Sequence, residues 1–132
     1  DTPPVYMDAA HNPAGCRVLS RALKRCAIIF SVSEDKDAKT MIDTLAPLAD
    51  PLILTTYQDG RSLSLDLLRQ QAGSHPVLSF LHMADALEAG MHSASAETPL
   101  LVTGSIYGAG EARRILMEHY GASPPSFDVS KK

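Results

Sequence analysis

The chain has 132 residues, 45% of them hydrophobic, and its 12 Lys and Arg residues against 15 Asp and Glu residues give a net charge of −3. This length provides one domain with a proper core but hardly two, and the composition is typical of a soluble globular domain. Because the sequence lacks a basic excess, a membrane-length apolar run and a signal peptide, we expect neither nucleic acid nor a membrane as a partner.

The two cysteines are predicted to be free thiols. Cys16 and Cys26 flank a segment that looks helical, which would place them roughly 15 Å apart along the helix axis, too far for a disulfide. Both are then small apolar residues in a reducing compartment, which favours the cytoplasm.

The chain begins with Asp1 rather than Met, so we expect a domain taken from a longer polypeptide.

The first elements follow directly from the pattern. The apolar run 5–7 predicts a strand, and a helix begins at Asn12-Pro13, because Asn is a favoured N-cap and Pro a favoured first helical residue. The continuous apolar run 27–30 predicts a strand covered on both faces. The expected apolar face of the first helix comprises Val18, Leu19, Ala22, Leu23 and Cys26.

The remaining elements continue the alternation. Asp37 is the expected N-cap of the second helix, whose apolar face would hold Met41, Ile42, Leu45 and Leu48. After it we predict a strand at 51–54, a helix at 64–72, a weaker strand at 77–80, a helix at 83–93, a strand at 100–102 and a last helix at 111–120. The apolar side of the helix at 83–93 would contain Ala84, Leu87 and Met91.

This order predicts an α/β fold. Strands that alternate with helices indicate right-handed crossovers, and we expect a Rossmann-like three-layer sandwich with a mostly parallel sheet of five to six strands and about five helices. The domain would span residues 1–120. Residues 121–132, GASPPSFDVSKK, have two prolines and little apolar content, and this composition predicts a disordered tail.

Polar residues collect where ligands bind in parallel sheets, beyond the carboxyl ends of the strands. In the first loop, His11 directly precedes the free N–H groups of a helix, where an anion such as phosphate is favoured. Asp8 is placed to accept hydrogen bonds from ribose hydroxyls or to orient His11. The alternative is that Asp8 and Asn12 only form the turn and that His11 is an ordinary loop residue.

The other loops supply further candidates. Lys36 is either solvated or paired with a ligand carboxylate, and Arg61 is either a surface side chain or a bidentate clamp on a carboxylate. Glycines around Ser105 indicate close backbone approach or a tight turn. The sequence contains no G-x-x-x-x-G-K-[ST] phosphate loop and no metal-ligand spacing, so we predict no metal site and no handling of ATP phosphates by this chain alone.

Four short motifs in order resemble one known family. DAAHNP at 8–13, DKD at 35–37, RS at 61–62 and TGSIY at 103–107 are similar to the C-terminal domain of the folylpolyglutamate synthase/dihydrofolate synthase family, which belongs to the Mur ligase superfamily of ATP-dependent amide ligases. The resemblance implies an N-terminal ATPase domain, absent from this chain, that carries the phosphate loop and the Mg²⁺ ligands. It also implies a cytoplasmic, monomeric enzyme in which ATP phosphorylates a folate or pteroate carboxylate and the amine of L-glutamate attacks the acyl phosphate.

The resemblance also implies roles for individual residues. Asp8 and Asn12 would belong to the nucleotide-binding loop, with Asp8 at the ribose, and His11 would be catalytic, facing the phosphates and the reaction centre. Ser105 would contact glutamate, and so would Arg61 and, less specifically, Lys36. Whether the substrate is a pteroate, a folate or both stays open.

A second reading comes from another class of protein. The chain would then be a stand-alone α/β module that binds a nucleotide or an amino acid without catalysis. A pure protein-interaction unit is disfavoured, because the candidate residues are predicted to converge on one edge of the sheet. In the ligase reading, the isolated chain is expected to be inactive.

Overall fold

A computed structural model describes residues 3–8, 10–58 and 60–120, with the side chain of residue 120 left out. Its core is one sheet in the order β1-β5-β2-β3-β4, and every neighbouring pair of strands is parallel. The predicted α/β fold is therefore confirmed. The strands are β1 (Val5–Met7), β2 (Cys26–Phe30), β3 (Ala49–Leu54), β4 (Leu78–Ser79) and β5 (Leu100–Thr103).

Helices cover both faces of the sheet, as predicted. Side chains of α1, α2 and α3 pack in one apolar cluster, and those of α4 and α5 pack in a second. None of the helices in the described residues is long and apolar enough to cross a membrane. The helices are α1 (Pro13–Ala22), α2 (Ala38–Leu45), α3 (Leu65–Ala72), α4 (Met83–Ser93) and α5 (Ile106–Tyr120), with a 3₁₀ turn at Ala46–Leu48.

The apolar run of β2 explains the two layers. Ile28 and Phe30 point into the cluster formed with α1, α2 and α3, whereas Ala27 and Ile29 point into the cluster formed with α4 and α5. All of these side chains are fully buried. Since burial of an aliphatic or aromatic side chain contributes about 1.5–3 kcal/mol, a strand buried on both faces anchors the helices on either side.

Two predicted helix faces are partly wrong. α1 ends at Ala22, so Cys26 lies in β2 and not on the helix. The buried residues of α1 are Cys16 and Leu19, and Val18 is 51% exposed. Val18 and Leu19 belong to neighbouring rows of side chains along the helix, and the row that contains Leu19 faces the sheet. In α4 the buried residues are Met83, Ala86, Leu87 and Gly90, so Ala84 is exposed.

Both cysteines are free, as predicted, although they lie in different elements rather than on one continuous helix. Burial raises the pKa of the Cys16 thiol to about 12, with a further upward contribution from the negative charge of Asp8. Burial alone raises the pKa of Cys26 to about 12. Both sulfurs therefore remain protonated and behave as small apolar groups.

The last helix begins at Ile106, five residues before the predicted start at 111. Ser105 caps it, because its Oγ accepts hydrogen bonds from the N–H groups of Tyr107 at 3.1 Å and Gly108 at 3.2 Å. A Cβ at Gly108 would overlap the hydroxyl of Ser31. Gly108 therefore allows close packing in the first turn of α5 and does not mark a turn.

The strand boundaries also differ slightly from the predicted ones, since β3 begins at Ala49 and β4 contains Leu78 and Ser79 alone. The predicted tail at 121–132 lies outside the described residues.

Candidate functional site

The carboxyl ends of the strands form a cleft of about 210 Å³. Four of the six candidate site residues, His11, Lys36, Arg61 and Ser105, line it together. The remaining lining residues are Ser33, Asp35, Ile106 and Tyr107. The loops after β1, β2, β3 and β5 therefore meet as the position of the strand ends predicts.

Asp8 and Asn12 lie beside the cleft and hold the first loop. Asp8 is 1% exposed, its N–H donates to the carbonyl of Val102 at 3.0 Å, and its Oδ1 accepts a hydrogen bond from the N–H of Ala10 at 2.7 Å. The side chain of Asn12 accepts a hydrogen bond from the N–H of Gly15 at 2.8 Å and so caps α1, as predicted. Both side chains thus fix the turn from which His11 reaches the cleft.

His11 lies next to the amino end of α1. Asn12 occupies the N-cap position and Pro13 the first helical position, so His11 immediately precedes the helix. The unpaired N–H groups and the dipole at such an end favour a negatively charged ligand. The partly exposed imidazole therefore stands at a position suited to an anion.

The loops after β2 and β3 are joined to each other. Ser33 and Ser62 form an isolated antiparallel bridge, the N–H of Glu34 donates to the carbonyl of Arg61 at 2.8 Å, and the N–H of Leu63 donates to the carbonyl of Val32 at 2.8 Å. We call this set of contacts the Ser33–Ser62 bridge. It brings the segments that carry Lys36 and Arg61 side by side.

Among the residues that the structure describes, Arg61 forms a weak ion pair. Its Nη2 lies 3.8 Å from Oδ2 of Asp35, and the Arg61 side chain is 69% exposed. Exposed ion pairs of this kind contribute about 0–1 kcal/mol. A ligand carboxylate that accepts two hydrogen bonds from the guanidinium group would displace such a pair at little cost.

Lys36 is partly buried and sits at the turn before α2. Its backbone N–H donates to the carbonyl of Ser33 at 3.1 Å, and the N-cap of α2 is Asp37, whose side chain accepts from the N–H of Thr40 at 3.2 Å. The predicted capping role of Asp37 is confirmed. Among the described residues that line it, the cleft thus contains the cationic side chains of Lys36 and Arg61, the imidazole of His11 and one carboxylate, that of Asp35. This balance favours an anionic ligand.

The loop after β5 requires glycine at its first position. Gly104 has a φ of 102°, and a Cβ there would overlap the carbonyl oxygen of Ser31. Ser105 follows, 2% exposed, with its oxygen accepting the capping hydrogen bonds of α5. A serine hydroxyl has one donor as well as two acceptor positions, so its proton is available to a ligand in the cleft.

Sequence reasoning did not identify Tyr57, and it included Tyr107 only as the last residue of the TGSIY motif, without a role. Tyr57 is buried, its hydroxyl lies 2.7 Å from Oγ of Ser33, and its ring stacks on that of Tyr107 with centroids 5.9 Å apart. The available signal was an aromatic residue three positions after the end of a buried strand, in TTYQDG. Its partners are distant in the sequence, so no local pattern could have supplied them.

The described residues contain no group of three or more His, Cys, Asp or Glu side chains placed to hold a metal ion. The resemblance implies Mg²⁺, but this part of the molecule does not provide a ligand set for it. No step at this cleft is therefore assigned to a metal held by the described residues.

Comparisons with known proteins identify relatives of this chain. The family model described as "Mur ligase, glutamate ligase domain" matches residues 1–106. Two proteins named dihydrofolate synthase/folylpolyglutamate synthase are similar in sequence. That of Mycobacterium tuberculosis is 28% identical over 136 residues, and that of Bacillus subtilis is 30% identical over 122 residues. Each comparison covers 86% of this chain and 28% of the relative.

A solved structure has the same fold. The folylpolyglutamate synthase of Mycobacterium tuberculosis, complexed with ADP, superposes with a TM-score of 0.76 and 28% identity, covering 91% of this chain and 30% of that one. The chain therefore spans less than a third of the length of the proteins it resembles.

Proposed function

Because the chain belongs to the family of Mur ligase glutamate ligase domains, we propose that it is the C-terminal domain of an ATP-dependent amide ligase that adds L-glutamate to a folate or pteroate carboxylate. The observation that carries this proposal is the cleft in which His11, Lys36, Arg61 and Ser105 meet. The names of both similar curated proteins support the substrate class.

The proposal includes the organisation of the parent protein. Residues 1–120 form the domain, and an N-terminal ATPase domain of the same polypeptide supplies the phosphate loop and the Mg²⁺ ligands. The low share of each relative that the chain covers, 28%, supports a parent of this kind. We place the parent in the cytoplasm as a monomer, and the two buried free thiols agree with a reducing compartment.

Glutamate would be held by the cationic side of the cleft. Lys36 and Arg61 bind its carboxylates, with Arg61 exchanging its exposed contact to Asp35 for a bidentate one. The hydroxyl of Ser105 donates a hydrogen bond to the same substrate while its oxygen continues to cap α5. These contacts orient the amine toward the acyl phosphate.

The nucleotide would approach the loop at 8–12. His11 faces the phosphates and the reaction centre from the amino end of α1, and Asn12 shapes the loop. The 1% exposure of Asp8 and its hydrogen bond to Ala10 favour a role in holding this loop over a direct contact with the ribose.

The chemistry that this chain supports is an acyl transfer. The amine nitrogen of glutamate bonds to the acyl carbon and gives up a proton to water. The bond between the acyl carbon and the phosphate oxygen breaks with its electron pair on that oxygen, so inorganic phosphate leaves as the amide forms. The imidazole of His11 stabilises negative charge on the departing phosphate, which is the kind of electrostatic assistance that such transfers need most.

An assay of the full open reading frame that contains this chain tests the proposal. ADP release is measured with ATP, Mg²⁺, L-glutamate and either dihydropteroate or tetrahydrofolate. Release that requires both glutamate and a pterin supports the ligase and identifies the preferred acceptor. No release from a folded product with any combination would favour the binding module without catalysis.

A further inference from the structure

We infer that Tyr57 is a positioning residue that fixes the loops carrying Lys36, Arg61 and Ser105 relative to one another. Its side chain is not among those that line the 210 Å³ cleft. It lines instead an adjoining cavity of about 170 Å³, together with Ser33, Gly60, Arg61 and Tyr107. Any effect of Tyr57 on a bound substrate is therefore transmitted through its neighbours.

The hydroxyl of Tyr57 contacts the loop after β2. It lies 2.7 Å from Oγ of Ser33, and this pair is partly buried. Ser33 belongs to the Ser33–Ser62 bridge and stands three positions before Lys36. Its carbonyl accepts a hydrogen bond from the N–H of Lys36 at 3.1 Å. Fixing Ser33 therefore fixes the turn that presents Lys36.

The backbone of the same segment contacts the other side of the bridge. The N–H of Tyr57 donates to Oγ of Ser62 at 3.3 Å, and Ser62 directly follows Arg61. Tyr57 thus contacts both serines of the bridge, one through its side chain and one through its main chain. This pair of contacts reinforces the backbone hydrogen bonds of the bridge, which hold the segments of Lys36 and Arg61 side by side.

The ring of Tyr57 contacts the beginning of α5. It stacks on Tyr107 with an angle of 27° between the ring planes, and an atom of the Tyr57 ring lies 3.5 Å from the Cβ position of Gly108. Next to it, the N–H of Gln58 donates to Oε1 of Glu111 at 2.8 Å. These contacts hold the first two turns of α5, and with them Ser105, against the loop after β3.

Hydrogen exchange and steady-state kinetics on the full open reading frame test this inference. Tyr57→Phe removes the hydroxyl and keeps the ring, and Ser33→Ala removes its partner. The loss of a hydrogen bond of ordinary strength changes an equilibrium constant about five-fold. We expect the amides of Glu34 and Leu63 to exchange about five-fold faster in each variant. In Tyr57→Phe, whose side chain does not line the cleft, the KM for glutamate should rise about five-fold with kcat unchanged.

The double variant distinguishes a shared contact from two separate effects. If both residues act through one hydrogen bond, Tyr57→Phe combined with Ser33→Ala will change exchange and KM no more than either single variant does. Ser93→Ala is the matched control, because it deletes a hydroxyl bound to the carbonyl of Ala89 in α4. Wild-type exchange at Glu34 in Tyr57→Phe, or additive effects in the double variant, would overturn the inference.

The effect on KM depends on the proposed ligase function, whereas the exchange measurement does not. A parent that lacks ligase activity but shows the non-additive exchange pattern would overturn the proposed function and support the positioning role. A Tyr57→Leu variant extends the test to the ring. It should also speed exchange of the amides of Tyr107 and Gly108, which Tyr57→Phe should leave unchanged.

Discussion

At the carboxyl end of the sheet, Lys36 and Arg61 line a cleft of about 210 Å³. Among the described residues, the ion pair found there is the weak contact of Arg61 to Asp35 at 3.8 Å. At the amino end, a larger cavity of about 350 Å³ contains Arg25 and His75. There Arg25 lies 2.9 Å from Asp50 and His75 lies 2.8 Å from Asp43.

The difference concerns compensation of charge rather than cavity size. Arg25 and His75 at the amino end already have carboxylate partners at hydrogen-bond distance, so they contribute little attraction for an added anion. The cations at the carboxyl end are left with charge to offer a ligand. The smaller cavity is therefore the better candidate for an anionic substrate, and substitutions at matched positions on the two ends can test this.

Substitution of a histidine at each end should give the largest contrast. In the full open reading frame, His11→Ala should lower kcat on the order of 100-fold, the usual contribution of a group that handles charge or protons at the reaction centre. His75→Ala, at the amino end, should leave kcat unchanged. ADP release at saturating substrate and melting curves measure both. A wild-type kcat in a folded His11→Ala variant would remove His11 from the site.

Substitution of one arginine at each end should change the KM for glutamate only at the carboxyl end. Arg61→Ala should raise the KM for glutamate by roughly 10- to 100-fold, because a hydrogen bond to a charged group contributes about 1.5–3 kcal/mol. Arg25→Ala removes an equally exposed guanidinium that is already paired with Asp50, and its KM should remain at the wild-type value. Equal effects of the two substitutions would contradict the distinction between the ends.

Two glycines of α5 sharpen the comparison within the carboxyl end itself. Gly108→Ala should destabilise the protein by about 1–3 kcal/mol, since the added methyl overlaps the Ser31 hydroxyl. Gly110 has nothing within 4 Å of its Cβ position, and Gly110→Ala should stabilise the helix by about 0.5–1 kcal/mol. Denaturant unfolding of the two variants measures both signs, and destabilisation by Gly110→Ala would be inconsistent with this packing.

The smallest effect is expected for Asp43 of α2, whose carboxylate contacts both Lys39 in the same helix and His75 in the segment before β4. Hydrogen bonds from Lys39 and His75 lower the pKa of Asp43. A carboxyl group whose pKa is lowered by folding stabilises the protein above its unfolded pKa, and this contribution disappears as pH falls through the folded value. Asp43→Asn should therefore lower the Tm slightly at pH 7. The difference from wild type should shrink as pH falls below about 4, the ordinary pKa of an aspartate, and vanish once pH lies below the lowered folded pKa. A difference in Tm that is constant with pH would exclude this linkage.

The sequence was sufficient for most of the architecture. Asn12 and Asp37 were recognisable as N-caps because capping depends on residues within one helical turn. The convergence of Lys36 and Arg61 followed from a general property of parallel sheets, that the carboxyl ends of the strands share one edge.

The misjudged features depend on contacts between distant residues. The start of α5 was placed too late, because Gly108 and Gly110 lower helix propensity, and the packing of Gly108 on Ser31 that requires a glycine is a tertiary contact. Tyr57 was overlooked for the same reason, since its partner Ser33 lies 24 residues away. The roles of the candidate residues toward nucleotide and glutamate stay predictions until the variants are measured.

The strand order has a consequence for how the cleft assembles. The half that presents Lys36 and Arg61 is built from one stretch of chain, β2 through the Ser33–Ser62 bridge. The half that presents His11 and Ser105 requires β1 to pair with β5, where Val5 lies beside Leu100. Because loop closure becomes more costly with separation along the chain, we expect the first half to form early in folding and the second to form last, so that the cleft becomes complete only when the two ends of the domain meet.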